Sequence, residues 1–336
     1  MKVEPLPSTF ELFSLDKLTI YHFVFWSLIL LLILYLVYNI KELQALRLKN
    51  KITLCFFAFA ILSSFFIGSK YNPEGYWIRN DNINENYEKQ SALNDGFTIE
   101  AYSMKLKLED MVSNDCSMDI VINKSGLNKL DLSLYHTLKP LNIKVNGKEV
   151  KFSNKDDELT VLLAEKYKEG EKIKVSVKYT GIINTVDKQG MRRYFVNSHS
   201  LFLADYFPWY PKPEFMGNAK KYEIKVESNN GDIYSNLSEK NNIFEGEGKE
   251  IFFMKSNLIS KHLYKGMEFI GNTEQIATDI QCEDFENTIK KDYNINNLKR
   301  LIVTPQRDKE YLLYNLYDDQ VLFGQFDSQS VLQYRR

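Results

Sequence analysis

FTIEAYSMKLKL, residues Phe97–Leu108, carries apolar side chains on alternate positions over the length of a strand, and the residues beyond it repeat the habit. A strand turns successive side chains to opposite faces, so this period of two marks a half-buried sheet. Met118–Asn123, Leu130–Tyr135, Leu141–Val145, Val150–Phe152 and Leu159–Ala164 alternate or run apolar over similar lengths. Asn146-Gly147 stands between Ile143–Val145 and Glu149–Phe152, and this dipeptide favours a type I′ hairpin because both central residues need positive φ. Lys172–Tyr179 (KIKVSVKY) sets Ile173, Val175 and Val177 on one face and is closed by Gly181. Tyr222–Glu227, Ile233–Ser235, Ile243–Glu245, Glu250–Lys255 and Gly266–Ile270 continue the series. Short strands with turn residues at close spacing predict a mainly β domain over 96–277, an antiparallel sandwich or saddle.

The character changes near Thr278. Glu283–Tyr293 (EDFENTIKKDY) spaces Phe285, Ile289 and Tyr293 as a helix does, with acids leading and lysines trailing, as the helix dipole favours. Leu298–Thr304 reads as a strand and Tyr311–Phe323 as a strand pair. Residues 278–336 therefore predict the opening of an α+β segment, too short for a core of its own.

On the N-terminal side the pattern is that of a membrane. Leu18–Ile40 contains no acid, Lys or Arg, enough to cross a hydrocarbon layer of roughly 30 Å, and Ile52–Gly68 is a second, shorter run. The first is too long for a signal peptide and lacks a basic leader. Between them Lys41, Arg47, Lys49 and Lys51 face one acid, Glu42, whereas residues 1–17 hold Lys2 and Lys17 against Glu4, Glu11 and Asp16. Basic connectors stay in the cytoplasm. The expected arrangement is a tail (1–17), a two-pass transmembrane hairpin (18–68), a polar linker (69–95) and an extracytoplasmic bulk at the cell membrane. In the linker, Tyr76 and Trp77 suit the interfacial aromatic belt.

Composition agrees with a globular domain on a small anchor: 336 residues, 26% charged, 14% aromatic, net charge −1, mean hydropathy −0.34. A near-neutral chain without a basic stripe predicts no nucleic-acid partner. Cys55 falls in the second apolar run, where it reads as a small filler, while Cys116 and Cys282 lie in the exported part and leave a bridge between them open. No Gly-x-x-x-x-Gly-Lys phosphate cradle is present, so no nucleotide cofactor is expected.

Leu201–Phe215 (LFLADYFPWYPKPEF) is the most distinctive stretch of the exported part. Pro208, Pro211 and Pro213 break up Phe207, Trp209 and Tyr210, which predicts a fixed corner clamped by buried aromatics. Taken in order, Leu130-Asp-Leu-Ser-Leu134, the Asn142-Ile-Lys-Val-Asn-Gly147 hairpin, the strand ending Tyr179-Thr-Gly181, the Phe207-Pro-Trp-Tyr-Pro211 corner and Lys221-Tyr-Glu-Ile-Lys-Val226 resemble a known domain. It is the N-terminal β domain of zinc aminopeptidases of the aminopeptidase N and leukotriene hydrolase type. The resemblance covers roughly Phe97 to Pro305, and a similar domain follows transmembrane helices in bacterial proteins that resemble ABC-type permeases.

That resemblance implies a zinc-dependent peptidase, yet catalysis there needs H-E-x-x-H, two histidines one helical turn apart with a glutamate base between them. The four histidines here are His22, His136, His199 and His262; none precedes a Glu and no two share a turn. The Gly-x-Met-Glu-Asn substrate loop is also missing, and both elements are expected to lie beyond Arg336. His199 stands just ahead of the corner, where the resemblance places substrate-cleft residues, but that is a positional analogy, and it reads first as a surface or hydrogen-bonded histidine. Ser198 and Ser200 sit in no Gly-x-Ser-x-Gly elbow. Asp156-Asp157, Glu283-Asp284 and Asp318-Asp319 read as solvated surface with no calcium-loop spacing, and Arg192-Arg193 and Lys220-Lys221 as ordinary charged surface. No catalytic, cofactor or metal residue is expected in this chain. The expectation is a non-catalytic extracytoplasmic domain, peptide-binding or an accessory part of a larger permease- or peptidase-type protein. The alternatives are a zinc aminopeptidase whose catalytic half lies on a missing or separate segment, and an accessory or sensor subunit of a transporter.

Overall fold

In the computed structural model, residues 17–38, 48–71, 96–186, 192–213, 218–228, 231–257, 259–264, 266–272, 299–304, 313–317 and 320–324 are described. The chain divides into two compact units: one, essentially residues 13–79, holds the helices, and the other, from Asn80 onward, holds the strands.

The helical unit consists of α1 (Lys17–Tyr38) and α2 (Leu48–Tyr71), which meet where the rings of Tyr35 and Phe57 lie 6.0 Å apart. Both expected spans are helical over their described residues, and α2 takes Lys49, Lys51 and Lys70 into the helix. Among the described residues no helix is long and apolar enough to cross a membrane. Phe23, Trp26, Phe59 and Phe66 are exposed on this unit, as is Cys55.

Strands are numbered in chain order. The largest sheet has eight, in the order β14 (Ser238–Lys240), β15 (Ile243–Gly248), β12 (Lys220–Ser228), β1 (Phe97–Leu108), β2 (Val112–Ile122), β8 (Lys172–Gly181), β4 (Lys139–Val145) and β5 (Lys148–Glu149). All neighbours are antiparallel except β1 and β12, which run parallel because the chain leaves β1 and returns only after the whole of the intervening sheet system. A small sheet joins β3 (Lys129–Ser133), β7 (Glu158–Leu162) and β6 (Phe152–Lys155). A third orders β13 (Tyr234–Ser235), β16 (Phe253–Lys255), β11 (Leu201–Leu203), β10 (Arg192–Val196) and β9 (Asn184–Val186). The last is mixed: β17 (Ile259–Tyr264), β18 (Met267–Asn272), β19 (Arg300–Thr304), β21 (Gln320–Gly324) and β20 (Leu313–Tyr317). Its parallel pairs β18–β19 and β19–β21 mark the departure from the antiparallel pattern expected near Thr278. The helix expected over Glu283–Tyr293 lies outside the described residues.

The period of two does build the large sheet. Phe97 and Ile99 of β1 are buried, then the register to β2 slips at Glu100, with Ile99 opposite Ile120 and Ala101 opposite Asp119. This bulge moves the buried phase by one residue, so Tyr102, Met104, Leu106 and Leu108 rejoin the inner face. Alternate residues of β2, β8 and β12 complete that face, and the inner faces of the sheets share one core. The outward face carries cross-strand ion pairs such as Lys172–Glu100 at 2.8 Å. The Asn146-Gly147 hairpin forms as expected: φ is 49° and 80° at the two residues, and Val145 pairs with Lys148. Gly181 is needed for another reason. A Cβ there would lie 2.2 Å from the Thr137 carbonyl oxygen, so only glycine lets β8 end against that loop.

Candidate functional site

The proline-rich corner follows β11 and lies inside the domain. Three prolines leave it few backbone donors, and its carbonyls are capped from outside the segment. The Tyr135 N–H donates to the Pro208 carbonyl at 2.8 Å, the Tyr179 hydroxyl to the Trp209 carbonyl at 2.9 Å, and the Tyr102 hydroxyl to the Pro211 carbonyl at 3.0 Å. Ser133 and Lys212 exchange both backbone hydrogen bonds, at 2.7 and 3.1 Å. Phe207 stacks on Tyr194 at 4.3 Å, Trp209 meets Phe253 edge-on at 5.5 Å, and Tyr210 meets Tyr102, which itself stacks on Tyr222 at 5.3 Å. The aromatic clamp predicted for this stretch is therefore present. Behind it, Asn114 Nδ2 donates to the Tyr179 hydroxyl at 2.8 Å.

Within this shell the chain folds in four charged side chains. The Lys212 ammonium has three protons and uses all of them: on the carbonyls of Asp205 (3.1 Å) and Tyr206 (2.5 Å) and on Glu250 Oε1 (3.2 Å). Asp205 is 1% exposed, and its Oδ2 has no hydrogen-bond partner among the described residues. Burial, and next to it the Glu250 carboxylate, pushes the Asp205 carboxyl up to about 7 against the pull of Lys212. Lys220 is equally buried, donating to the carbonyls of Asn218 and Lys249; burial brings its ammonium down to about 8. Burial likewise raises the hydroxyls of Tyr102, Tyr179 and Tyr210 and the thiol of Cys116. Asp205 Oδ2 and the Trp209 indole N–H are buried without a partner among the described residues, but the Lys212 and Lys220 ammonium groups donate to backbone carbonyls, so this knot chiefly fixes a backbone.

One accessible concavity among the described residues lies elsewhere, where β17–β19 of the mixed sheet face β13, β14 and the turn before them. It encloses about 720 Å³. The sheet contributes Lys261, Glu268 and Arg300, all on the face that also carries Leu263, since Lys261 sits opposite Ile270, Leu263 opposite Glu268, and Glu268 opposite Arg300. Glu268 takes both cations: Lys261 Nζ at 3.0 Å and the Arg300 Nε at shorter range. Burial pushes the Glu268 carboxyl up, but Lys261 and Arg300 outweigh it and hold it below the usual carboxylate range. Arg300 also reaches the carbonyls of Asn236 and Leu237 at 3.4 Å. The opposite wall carries Asp232, Tyr234 and Glu239.

The histidines are dispersed. His136 Nδ1 lies 2.8 Å from Asp157 Oδ1, His262 Nε2 lies 2.7 Å from Ser260 Oγ, and His199 is exposed. Among the described residues no three His, Cys, Asp or Glu side chains gather as a metal would require. Asp156 is solvated as expected, but Asp157 is half-buried against His136. The expectation for Lys220-Lys221 holds for one residue only: Lys221 is exposed, whereas Lys220 falls on the inward phase of β12 with Tyr222, Ile224 and Val226. Among the described residues Cys116 is a free, buried thiol; Cys282, Glu283-Asp284, Asp318-Asp319 and the side chains of Arg192-Arg193 lie outside them. The cleft residues Lys261, Glu268 and Arg300 were not singled out in the sequence. Their only signal is register, because the three meet only once β17 pairs with β18 and β18 with β19.

No protein-family profile matches the chain, and no curated protein matches it. Among solved structures it is similar to an M1 zinc metallopeptidase from Deinococcus radiodurans at 11% identity and a TM-score of 0.50. That match covers 68% of this chain and 60% of that one. Leukotriene A4 hydrolase from Saccharomyces cerevisiae is also similar, at 11% identity and a TM-score of 0.48, over 68% of this chain and 41% of that one. The chain thus spans 60% or less of these enzymes' lengths. Over 68% of its length this chain therefore shares its fold with an M1 zinc metallopeptidase, as the sequence resemblance to the N-terminal β domain of zinc aminopeptidases implied.

Proposed function

We propose that this chain is a membrane-anchored binding module, an aminopeptidase-type β domain that grips a peptide or a partner subunit without hydrolysing it. The observation that carries the reading is the disposition of the histidines on a metallopeptidase-like scaffold: His136 is engaged by Asp157, His262 by Ser260, and neither is presented with a second imidazole. The Glu needed as base beside each histidine is absent from the sequence. Purified full-length chain is expected to contain no stoichiometric zinc and to leave aminoacyl-anilide substrates intact; one zinc per chain with turnover would overturn the reading.

The anchor is part of the same proposal. Leu18–Ile40 has no charged residue, and Phe23, Trp26, Phe59 and Phe66 are between 55% and 76% exposed on the helical unit. Apolar surface left in water costs about 25 cal/mol per Å², which favours lipid around it. The basic connector supports a cytoplasmic turn and an extracytoplasmic β domain. The chain is expected to stay with membranes through alkaline carbonate washing, and release into the supernatant would remove the anchor. A cysteine introduced in Lys41–Lys51 is expected to resist external thiol reagents in intact cells.

A second reading is favoured by the likeness to zinc metallopeptidases itself: the chain supplies the β portion of a zinc aminopeptidase whose metal site is on another segment. Aminopeptidase activity that co-purifies with the chain from native membranes and is lost on chelation would select it.

A further inference from the structure

We infer that the outward face of the large sheet is an interface between two copies of this chain, laid face to face with their β12 strands antiparallel about a two-fold axis. Such pairing does not depend on what the proposed binding module grips.

β12 turns Lys221, Glu223, Lys225 and Glu227 outward and keeps Tyr222, Ile224 and Val226 inward. The four outward charges alternate in sign, so a strand laid antiparallel over its own copy meets the opposite charge at every position. A two-fold axis lying in the sheet plane and crossing β12 between Glu223 and Lys225 gives this arrangement. Glu223 of each copy then faces Lys225 of the other, and Lys221 faces Glu227, four ion pairs across one contact. Rotation about such an axis also carries a twisted sheet onto a parallel copy of its own surface, so the two faces nest.

The flanking strands repeat the antisymmetry. On one side of the axis a trough of about 620 Å³ is floored by Ala101, Ser103 and Ser117. Its charged lining is Asp119, Glu223, Glu245 and Glu247 against Lys174 and Lys221, an excess of acid. On the other side the strands place Lys105, Lys107, Lys178 and Lys225 against Asp115 and Glu227, an excess of base. The axis sets the acid half of one copy on the basic half of the other, and Lys105 and Lys107 of the second copy lie over Ser103 and Ala101.

Within one copy the same charges are poorly matched. Glu223 stands directly opposite Glu245, and Lys105 directly opposite Lys225, like-charged cross-strand neighbours that repel. None of these four side chains, nor that of Glu227, has a hydrogen-bond or ion-pair partner among the described residues. Lys221 reaches Glu247 only at 3.9 Å, the two side chains being 76% and 66% exposed. A face with like charges side by side and no net excess is matched by a surface carrying the reversed pattern, and a second copy of this chain carries it. At a strand spacing of about 4.8 Å and a rise of about 3.4 Å per residue, the face from β15 to β4 offers roughly 700 Å² per copy, within the range of a specific interface.

The test is light scattering of the full chain in detergent micelles. A dimer is expected at about 50 mM salt, weakened about tenfold or more at about 0.5 M, where charges are screened. Glu223→Lys and Lys225→Glu each make two of the four β12 pairs repulsive, and each is expected to weaken self-association by about tenfold or more. Mixed together, these two variants are expected to pair with each other, because each supplies the charge the other lacks. The double change Glu223→Lys/Lys225→Glu in one chain is expected to restore self-association. Both positions are exposed, so an unchanged melting curve checks that the variants fold. A chain that stays monomeric at about 50 μM and low salt overturns the inference. A dimer indifferent to the single changes, or single variants that fail to pair with each other, overturns it as well, because the contact then lies on another surface. The binding-module reading fails separately, through zinc and turnover.

Discussion

Two clusters in this domain are built from the same parts, acids and cations at hydrogen-bond distance, and differ in burial. In the corner, Lys212 and Glu250 are 7% and 14% exposed and Asp205 is nearly sealed; in the cleft, Lys261 is 56% exposed beside Glu268. The buried set consumes its hydrogen bonds on the backbone of the corner, and the open set leaves one wall unpaired. Removing two ions from water costs several kcal/mol each, and only complete pairing recovers it, so a buried cluster is costly to break and an open one is not. The contrast separates a cluster that keeps the shape of the domain from one that solvent reaches.

The strongest way to break the comparison is Lys212→Met. It removes all three donors at once, leaving Glu250 unpaired and the carbonyls of Asp205 and Tyr206 without their bonds. A loss of about 3–5 kcal/mol in unfolding free energy is expected, read from denaturant titration of the full chain by the fluorescence of buried Trp209. A loss under about 1 kcal/mol, the range of a surface pair, would mean the knot is solvated and the two clusters are alike.

The pH dependence sharpens the same point. Asp205 has its folded pKa raised from 3.8 to about 7, so the folded state holds a proton the unfolded chain gives up. Its contribution is present in full below pH ~4 and is lost as pH rises through about 7. Lys220, lowered from 10.5 to about 8, acts on the other limb: stability withheld near pH 8 returns as pH rises toward 10.5. The domain should be least stable near pH 7–8 as far as these two groups go. Asp205→Asn is expected to flatten the acid limb and Lys220→Met the alkaline one, both in thermal melts across pH. Tyr179→Phe comes next, about 1–2 kcal/mol, because one hydroxyl serves both the Trp209 carbonyl and Asn114.

Much of the shape of this domain can be read from the chain. Phe97–Leu108 contains its own phase change, since apolar positions run 97, 99 and then 102, 104, 106, 108, and the bulge at Glu100 falls at that skip. Asn146-Gly147 encodes its turn by the φ values it tolerates, and the corner announces itself by prolines among rings. Lys220 was harder to place: beside Lys221 it looks like surface, and only the parity of β12 sends it inward. Val112–Ser117, the short strands β9, β10, β11 and β14, and β17 itself lacked a legible pattern, being brief, polar or held by partners distant in sequence. Glu268 and Arg300 lie 32 residues apart and meet through a parallel pair, a contact that no local periodicity contains.

Glu268→Gln is the smallest change in stability. A half-exposed pair contributes about 0.5–1 kcal/mol at neutral pH, so the midpoint of unfolding should hardly move there, and what difference there is should fade only as pH falls through the lowered pKa of the Glu268 carboxyl. The substitution releases Lys261 and Arg300 from their common partner in a cluster that solvent reaches. An almost unshifted melt is therefore expected, the opposite of Lys212→Met, where the melt moves and the exposed charges do not. If Glu268→Gln instead lowered stability as far as Lys212→Met does, the open cluster would be holding the fold together just as the buried one does, and the difference in burial would carry no difference in role.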